Sequence, residues 1–151
     1  MTDNNLRQET IDTYNNSAAE LAQYFQEIGP RTVDIEKALA AAGNPDKARI
    51  VEIGCGDGRD AKEIAKRADY FEAFDISEEL VKIAQINAPG TKIAVADAVT
   101  FEYPNNLDVV YAFASLLHLN KEECAVVFAK VAVALRKDGI FYLSLKHKDS
   151  Y

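Results

Sequence analysis

Hydrophobic residues along the first third of the chain recur at helical spacing. Apolar side chains recur at steps of three and four positions at Ile11, Tyr14, Ala18, Leu21, Ala22 and Phe25, and Val33, Ile35, Leu39 and Ala42 continue as a further helix. This spacing is typical of amphipathic helices that pack on a core. We predict a break at Asn15-Asn16-Ser17, with Ser17 capping the helix that follows, because these residue types favour caps over helix interiors. Gly29-Pro30 and Gly43-Asn44-Pro45 predict the later helix ends.

From residue 48 the pattern changes to short apolar runs that alternate with amphipathic segments. Strands are predicted at 48–53, 70–75, 92–96, 107–113 and 139–146, and helices at 59–68, 78–87 and 121–136. Residues 99–104 contain Pro104 and predict a loop or a single turn, whereas Ser77 and Asn120 are placed to cap helices. This alternation predicts a doubly wound α/β fold with a mostly parallel sheet of about five strands. We interpret residues 1–151 as one domain, in which 1–47 form a helical cap and 48–146 a binding core.

Three glycines mark the end of the first predicted strand. Gly54, Gly56 and Gly58 follow the apolar run of residues 50–53 and precede a helical pattern, which is the layout of a nucleotide site in an open parallel sheet. The spacing is G-x-G-x-G, one residue shorter than the dinucleotide pattern G-x-G-x-x-G. Asp75 ends the next apolar run 75 − 54 = 21 residues later, close to the roughly 20 expected of an acid that binds a ribose. Glu52 would repel a pyrophosphate and suits a ligand that carries positive charge.

These residues resemble the S-adenosylmethionine-dependent methyltransferases of the Rossmann-like class, in their small-molecule branch. Val-Glu-Ile-Gly-Cys-Gly-Asp-Gly, from Val51, is similar to the first motif of that family, and Phe-Asp-Ile-Ser, from Phe74, to the second. Ala-Asp-Ala at 96–98 resembles the third motif and residues 107–119 the fourth. The four motifs stand in the family's order over residues 49–119, which predicts a Rossmann-like sheet.

The resemblance implies a set of cofactor contacts for S-adenosylmethionine, with S-adenosylhomocysteine as the product. Asp75 would accept hydrogen bonds from both ribose hydroxyls, and Glu52 would meet the methionine ammonium. Ile76 and Ser77 would enclose the adenine, while Asp97 and Ala98 would meet its amine and ring nitrogen, although Asp97 could simply start a turn. The remaining expected contacts are the loop residues Gly54, Cys55, Gly56 and Gly58 and the strand end Ala112, Phe113 and Ala114.

Methyl transfer by in-line displacement requires alignment, and it requires a base only if the acceptor must lose a proton. His118 is the candidate base because its side chain titrates near neutrality, although it stands in the apolar stretch Leu116-Leu117-His118-Leu119, where a structural role is also open. His147 is expected to be solvent-exposed. Among Tyr14, Tyr24 and Phe25, Tyr14 is the best candidate for closing over the ligand, although aromatic residues at helical spacing are usually core.

Composition limits the range of partners. The chain of 151 residues is 48% hydrophobic and 27% charged with a net charge of −7 and no basic run, so nucleic acid is an unlikely partner. Cys55 and Cys124 lack the spacing of metal ligands, and we expect no metal and reduced thiols. The polar start and the lack of a long apolar stretch predict a cytoplasmic protein without a membrane segment.

The end of the chain departs from the pattern of the resembling family, which usually continues with two further strands as an edge hairpin. Only five residues follow the predicted fifth strand here, so the hairpin is either naturally absent or removed by truncation. Strand five could then be an exposed edge, which predicts a homo-oligomer formed through it.

Two other functions remain open. One is a non-catalytic or truncated S-adenosylmethionine-binding domain, and the other is a dinucleotide-dependent oxidoreductase, which the early third glycine and Glu52 disfavour.

Overall fold

The computed structural model describes residues 3–145, and the side chains from residue 5 onward. Five helices are present among these residues: α1 (Asp3–Ile28), α2 (Thr32–Ala41), α3 (Arg59–Ala65), α4 (Glu78–Asn87) and α5 (Lys121–Ala134). The five strands are β1 (Ala48–Ile53), β2 (Ala68–Asp75), β3 (Lys92–Val95), β4 (Leu107–Phe113) and β5 (Leu135–Ser144). His147, which we expected to be solvent-exposed, lies outside the described residues. So does Lys146, the last residue of the fifth predicted strand.

All five strands form one sheet in the order β3-β2-β1-β4-β5, and every neighbouring pair is parallel. The doubly wound, Rossmann-like fold is therefore confirmed, with a fully parallel sheet where a mostly parallel one was predicted. The strand order reverses between β1 and β4, which lie side by side. Open α/β sheets bind ligands at the carboxyl ends of the strands beside such a reversal.

Helices cover both faces of the sheet. On one face α2 buries Ile35 and Leu39 against β1 and β4, and α3 and α4 pack beside it on β2 and β3. On the other face α5 buries Val127 and Val131. The loop between β3 and β4 lies on that same face, and the predicted single turn is found there at 98–100. Strand β4 is buried along its whole length and apolar except at Asp108, as expected when helices cover both faces.

The predicted break at Asn15-Asn16-Ser17 is wrong, because α1 runs without interruption from Asp3 to Ile28. The side chain of Asn15 does not compete for the backbone hydrogen bonds of its own helix. Its Oδ1 instead accepts hydrogen bonds from the Ser77 hydroxyl at 2.7 Å and from the backbone N–H of Glu79 at 3.4 Å. A contact from the start of α4 therefore removes the reason for ending the helix at Asn15.

The boundary between α5 and β5 also differs from its prediction. The helix ends at Ala134 and the strand begins at Leu135, four residues before the predicted start. Leu135 pairs with Leu107, and the register then shifts so that Val109 pairs with Ile140. Asp138, with φ of 62°, lies within this irregularity. The Asp138-Gly139 pair, a residue combination that favours a turn in the sequence, therefore lies at an irregularity inside the strand.

One edge of the sheet and the adjoining helix face are apolar. β5 pairs only with β4 among the described strands, and Phe128 of α5 is 45% exposed beside it, 5.6 Å from the ring of Phe141. Val133, on the same helix, is 81% exposed. Within residues 3–145 no helix has the length and apolar character that crossing a membrane requires.

Candidate functional site

The glycine loop is built on left-handed backbone at the carboxyl end of β1. Gly54, Gly56 and Gly58 have φ values of 69°, 55° and 83°, which favour glycine. A Cβ at Gly58 would lie 3.0 Å from the Cα of Ala84, so this glycine lets α3 and α4 pack closely. A Cβ at Gly56 would meet only Phe25, at 3.8 Å. The loop is therefore tight where it packs on α4 and roomy at Gly56, where a ligand could lie against backbone.

Asp75 lies at the end of β2, directly beside this loop. Its two carboxylate oxygens accept hydrogen bonds from the backbone N–H groups of Gly56 and Ser77, both at 2.9 Å. Burial raises the pKa of this carboxyl, and the backbone hydrogen bonds oppose that shift. The loop and the carboxylate are thus held in one fixed arrangement, with free lone pairs on both oxygens.

Glu52 is a charged side chain placed inside the protein. It is 1% exposed, and its Oε2 has no hydrogen-bond partner among the described residues. Burial raises the pKa of this carboxyl well above its usual value, and the charges of Asp60, Asp75 and Asp57 act in the same direction while Arg31 opposes them. A buried carboxyl with an unpartnered oxygen is costly, and a positively charged ligand group would relieve that cost.

An arginine pair stands next to Glu52, and the sequence reasoning missed it. Arg31, in the turn between α1 and α2, donates from its backbone N–H and from its guanidinium to the two oxygens of buried Asp60, at 2.7 and 2.5 Å. Its guanidinium lies 5.0 Å from the ring centre of Phe113, at the end of β4. Burial and the charge of Arg31 lower the pKa of the neighbouring Arg59. Nothing local in the sequence marks Arg31, since it reaches the site through the fold.

Asp97 follows β3 and has two structural partners. One oxygen accepts the N–H of Val99 at 2.8 Å, which forms the turn that its residue type predicts. The other oxygen forms an ion pair with Arg7 of α1, whose guanidinium also pairs with Glu123 at the start of α5. Glu123 belongs to a complete capping box with Asn120, as predicted. Arg7 therefore ties α1 to the segment that follows β3 and to the first turn of α5.

Tyr14 and His118 meet above the carboxyl ends of the strands. The Tyr14 hydroxyl lies 2.6 Å from Nε2 of His118, and the two rings pack edge to face with centres 5.3 Å apart. Burial, with a contribution from the charge of Asp75, raises the pKa of Tyr14, so the phenol keeps its proton at neutral pH. Of the three aromatic residues considered, Tyr24 is 58% exposed and Phe25 faces Gly56.

Several predicted contact residues have side chains already engaged in the fold. The Ser77 hydroxyl caps α4 by accepting the N–H of Leu80, as predicted, and donates to Asn15. The side chains of Cys55, Ala112 and Phe113 are buried in the core. Burial raises the pKa of the Cys55 thiol, which therefore stays protonated. Only the backbone of these residues is available to a ligand, whereas the half-buried Ile76, Ala98 and Ala114 lie at the surface of the site.

Helix α1 extends across the carboxyl edge of the sheet, over the segments that follow β1, β2, β3 and β4. Its polar contacts, in order, are Arg7 with Asp97 and Glu123, Tyr14 with His118, Asn15 with Ser77 and Glu79, and Gln26 with Asp57. Ala18 and Ala22 are its buried apolar residues. The predicted site residues thus converge at one edge of the sheet, beneath a helix that polar contacts join to several of the loops there.

Comparison with known proteins places this geometry in a family. Residues 50–139 match the family described as methyltransferase domain, which is more than half of the chain. A ribosomal RNA small subunit methyltransferase A of Shouchella clausii is 27% identical over 114 residues, covering 74% of this chain and 38% of that protein. A ubiquinone biosynthesis O-methyltransferase of Ralstonia nicotianae is 25% identical over 133 residues, covering 83% of this chain and 53% of that one. The chain belongs to the methyltransferase-domain family.

A solved structure extends the likeness to the whole fold. Phosphoethanolamine N-methyltransferase 1 of Haemonchus contortus, in complex with phosphoethanolamine and S-adenosylhomocysteine, superimposes with a TM-score of 0.74 at 20% identity. The match covers 99% of this chain and 34% of that chain. The chain thus spans about half or less of the length of these relatives, whose acceptors differ widely by name.

Proposed function

We propose that this chain binds S-adenosylmethionine at the carboxyl edge of its sheet and transfers the methyl group to a small-molecule acceptor. The observation that carries the proposal is buried Glu52, whose Oε2 has no partner among the described residues. The ammonium of the cofactor's amino-acid end is a cation that this carboxyl would pair with. A dinucleotide pyrophosphate would place negative charge beside the same carboxyl, which disfavours the oxidoreductase reading.

Asp75 is suited to hold the ribose. Because backbone N–H groups of Gly56 and Ser77 fix both of its oxygens, the carboxylate would meet two neighbouring hydroxyls without losing further freedom. The space at Gly56 would admit a ligand against the loop backbone. These features fit the nucleoside half of the cofactor.

Arg31 is suited to the carboxylate of the amino-acid end. It shares Asp60 with Arg59 and lies near Glu52, so the pocket offers cations and an anion side by side. A zwitterionic amino acid requires this combination of charges. Arg31 is the contact that we add to those expected from the motifs.

The chain's role in catalysis is alignment and, for some acceptors, proton removal. S-adenosylmethionine supplies a methyl group that its sulfonium already activates. Holding an acceptor atom in line provides much of the rate. His118 would take a proton from the acceptor, and Tyr14 would hold the imidazole in position through the 2.6 Å contact.

Two features favour a small-molecule acceptor: the net negative charge of the chain and the helix that covers the site. The chain carries a net charge of −7, which disfavours a phosphate backbone as partner. Helix α1 covers the site through contacts at both of its ends, and this would restrict access by a macromolecule.

Calorimetric titration with S-adenosylhomocysteine tests cofactor binding, with NAD as the competing ligand. We expect micromolar affinity for the first ligand and none for NAD, and Asp75→Ala should weaken binding about tenfold or more. Asp69→Ala is the matched control, because Asp69 is an exposed acid at the opposite end of β2 and should leave affinity unchanged. Preference for NAD, or no loss in Asp75→Ala, would refute the assignment.

Turnover on a panel of small oxygen, nitrogen and sulfur acceptors tests catalysis. For an acceptor that must lose a proton, His118→Gln should lower kcat about 100-fold with little change in the affinity for S-adenosylhomocysteine. A chain that binds this ligand but methylates no acceptor would support the non-catalytic binding domain instead.

A further inference from the structure

Two buried side-chain polar atoms without a hydrogen-bond partner among the described residues belong to residues close to the glycine loop. In all there are three such atoms in this part of the chain: Nε of Arg49, Oε2 of Glu52 and Oγ of Ser115. Arg49 lies near the start of β1, away from the site. Glu52 and Ser115 both lie beside Gly54, which follows Glu52 by two residues and whose missing Cβ would be 3.0 Å from Ser115 Oγ. Burying a hydroxyl without a hydrogen bond costs free energy, so its position requires an explanation.

Two local features hold Ser115 in this place. The preceding residue, Ala114, has a φ of 52°, a conformation that non-glycine residues rarely adopt. Its N–H donates to the carbonyl and to the hydroxyl of Ser144, both at 3.1 Å. A Cβ at Gly54 would lie 2.2 Å from the Cβ of Ser115, so only glycine permits the approach. The left-handed backbone at Ala114 and the missing side chain at Gly54 together allow the Ser115 hydroxyl to lie against the glycine loop.

We propose that Ser115 contacts the amino-acid end of S-adenosylmethionine, and that its hydroxyl gains its hydrogen bond when that ligand binds. The inference rests on the proposed function and adds a residue to it. Gly54 lies at the end of β1 beside β4, whereas Asp75 and Asp97, on the nucleoside side, follow β2 and β3. A hydroxyl can donate to a carboxylate or accept from an ammonium, so it suits either charge of the zwitterion.

Ser115→Ala, titrated with two ligands, tests this contact. S-adenosylhomocysteine carries the amino-acid end, whereas 5′-methylthioadenosine keeps the adenosine and the sulfur without it. We expect Ser115→Ala to bind S-adenosylhomocysteine about tenfold more weakly than the unaltered chain, the factor for one hydrogen bond to a charged group. The affinity for 5′-methylthioadenosine should not change. Equal losses for both ligands, or no loss for either, would overturn the proposal.

Thermal unfolding of the ligand-free variants separates contact from structure. Ser115→Ala removes a hydroxyl that has no partner, so its Tm should stay the same or rise, whereas a structural serine would lower it. Thr91→Ala is the matched control: it loses the hydroxyl that donates to the carbonyl of Ala88 beyond the end of α4, should lower Tm, and should leave the ratio of the two affinities unchanged. Ser115→Cys, of similar volume, replaces Ser115→Ala if that variant does not fold, with the same expected ratio. An unaltered chain that binds neither ligand would instead refute the proposed function itself.

Discussion

At the scale of single residues, the site contains polar side chains whose burial lowers the stability of the fold. Their missing hydrogen-bond partners would be supplied by a ligand. Glu52 is the clearest case, because its carboxyl is buried next to three other acids and its pKa is raised. Functional sites commonly hold groups with shifted pKa values, because a buried charge that lowers the stability of the folded protein is also available to bind a ligand of opposite charge. The stability of the ligand-free protein should therefore depend on pH through this residue.

The direction in which pH changes the stability follows from how many protons the folded and the unfolded chain bind. The unfolded chain loses the Glu52 proton near its ordinary pKa of about 4.3, whereas the folded chain keeps it to higher pH. As pH rises through this window the folded state binds more protons than the unfolded state, so its stability falls. Glu52→Gln removes this penalty and should raise the Tm at neutral pH by about 2–6 °C, with no gain near pH 4.

The same variant should lose ligand affinity, because glutamine cannot form an ion pair with an ammonium. We expect S-adenosylhomocysteine to bind the unaltered chain more tightly as pH rises and Glu52 ionises, whereas Glu52→Gln should bind at least about tenfold more weakly, with little dependence on pH. Calorimetry and thermal scans across pH measure both effects. Glu72→Gln is the control: buried Glu72 is paired with Tyr70 and Lys92, so its loss should lower Tm and spare binding. A lower Tm in Glu52→Gln would contradict this account.

At the scale of elements, α1 fully buries only the small apolar side chains of Ala18 and Ala22 among its described residues, and polar contacts recur along its length. Arg7 is the contact nearest its beginning, and it joins the helix to Asp97 and Glu123. Segments with few buried apolar contacts open at lower free energy than the core. Because α1 lies over the glycine loop and Asp75, its opening would admit the ligand.

Arg7→Met keeps the aliphatic part of the side chain and removes both ion pairs. We expect amide hydrogen exchange in the first half of α1 to become about tenfold faster, the factor for losing partly buried charged hydrogen bonds. Exchange in α5 away from Glu123 should not change. Arg67→Met is the matched control, since it breaks the exposed pair with Glu36 far from α1. Unchanged exchange in α1 of Arg7→Met would show that other contacts hold the helix.

The elements also show where sequence patterns succeed and fail. Strand, glycine loop and helix were predictable because local spacing encodes them, and the caps at Ser77 and Asn120 were predictable because they are local hydrogen bonds. The continuity of α1 was not, because Asn15 bonds to Ser77 and Glu79, more than 60 residues away. The start of β5 at Leu135 was not predictable either. The strand begins there because Leu135 pairs with Leu107, whereas in the sequence the apolar run of α5 continues into the strand without a visible boundary. Arg7 and Arg31 reach the site only through tertiary structure.

At the scale of the whole molecule, two features that have no partner among residues 3–145 lie next to each other: the outer edge of β5 and the apolar outer face of α5. Lys130 is the only charged residue from 124 to 134, and its ammonium donates to the carbonyl oxygens of Val99 and Phe101. An open apolar strand edge favours pairing with another chain. If β5 pairs antiparallel with β5 of a second copy, the two α5 helices come to lie side by side on one face of a continuous sheet.

We therefore predict that this chain forms a dimer through β5 and α5, and that sedimentation at tens of micromolar gives twice the mass of one chain. Phe128→Glu should raise the dissociation constant of the dimer at least about tenfold, because the ring lies beside the strand edge and a charge there would be buried on pairing. Ile86→Glu is the matched control, since Ile86 is 77% exposed on α4, far from β5 in the sheet order. A monomer at these concentrations, or equal weakening by both variants, would exclude this interface and leave the edge open to another partner.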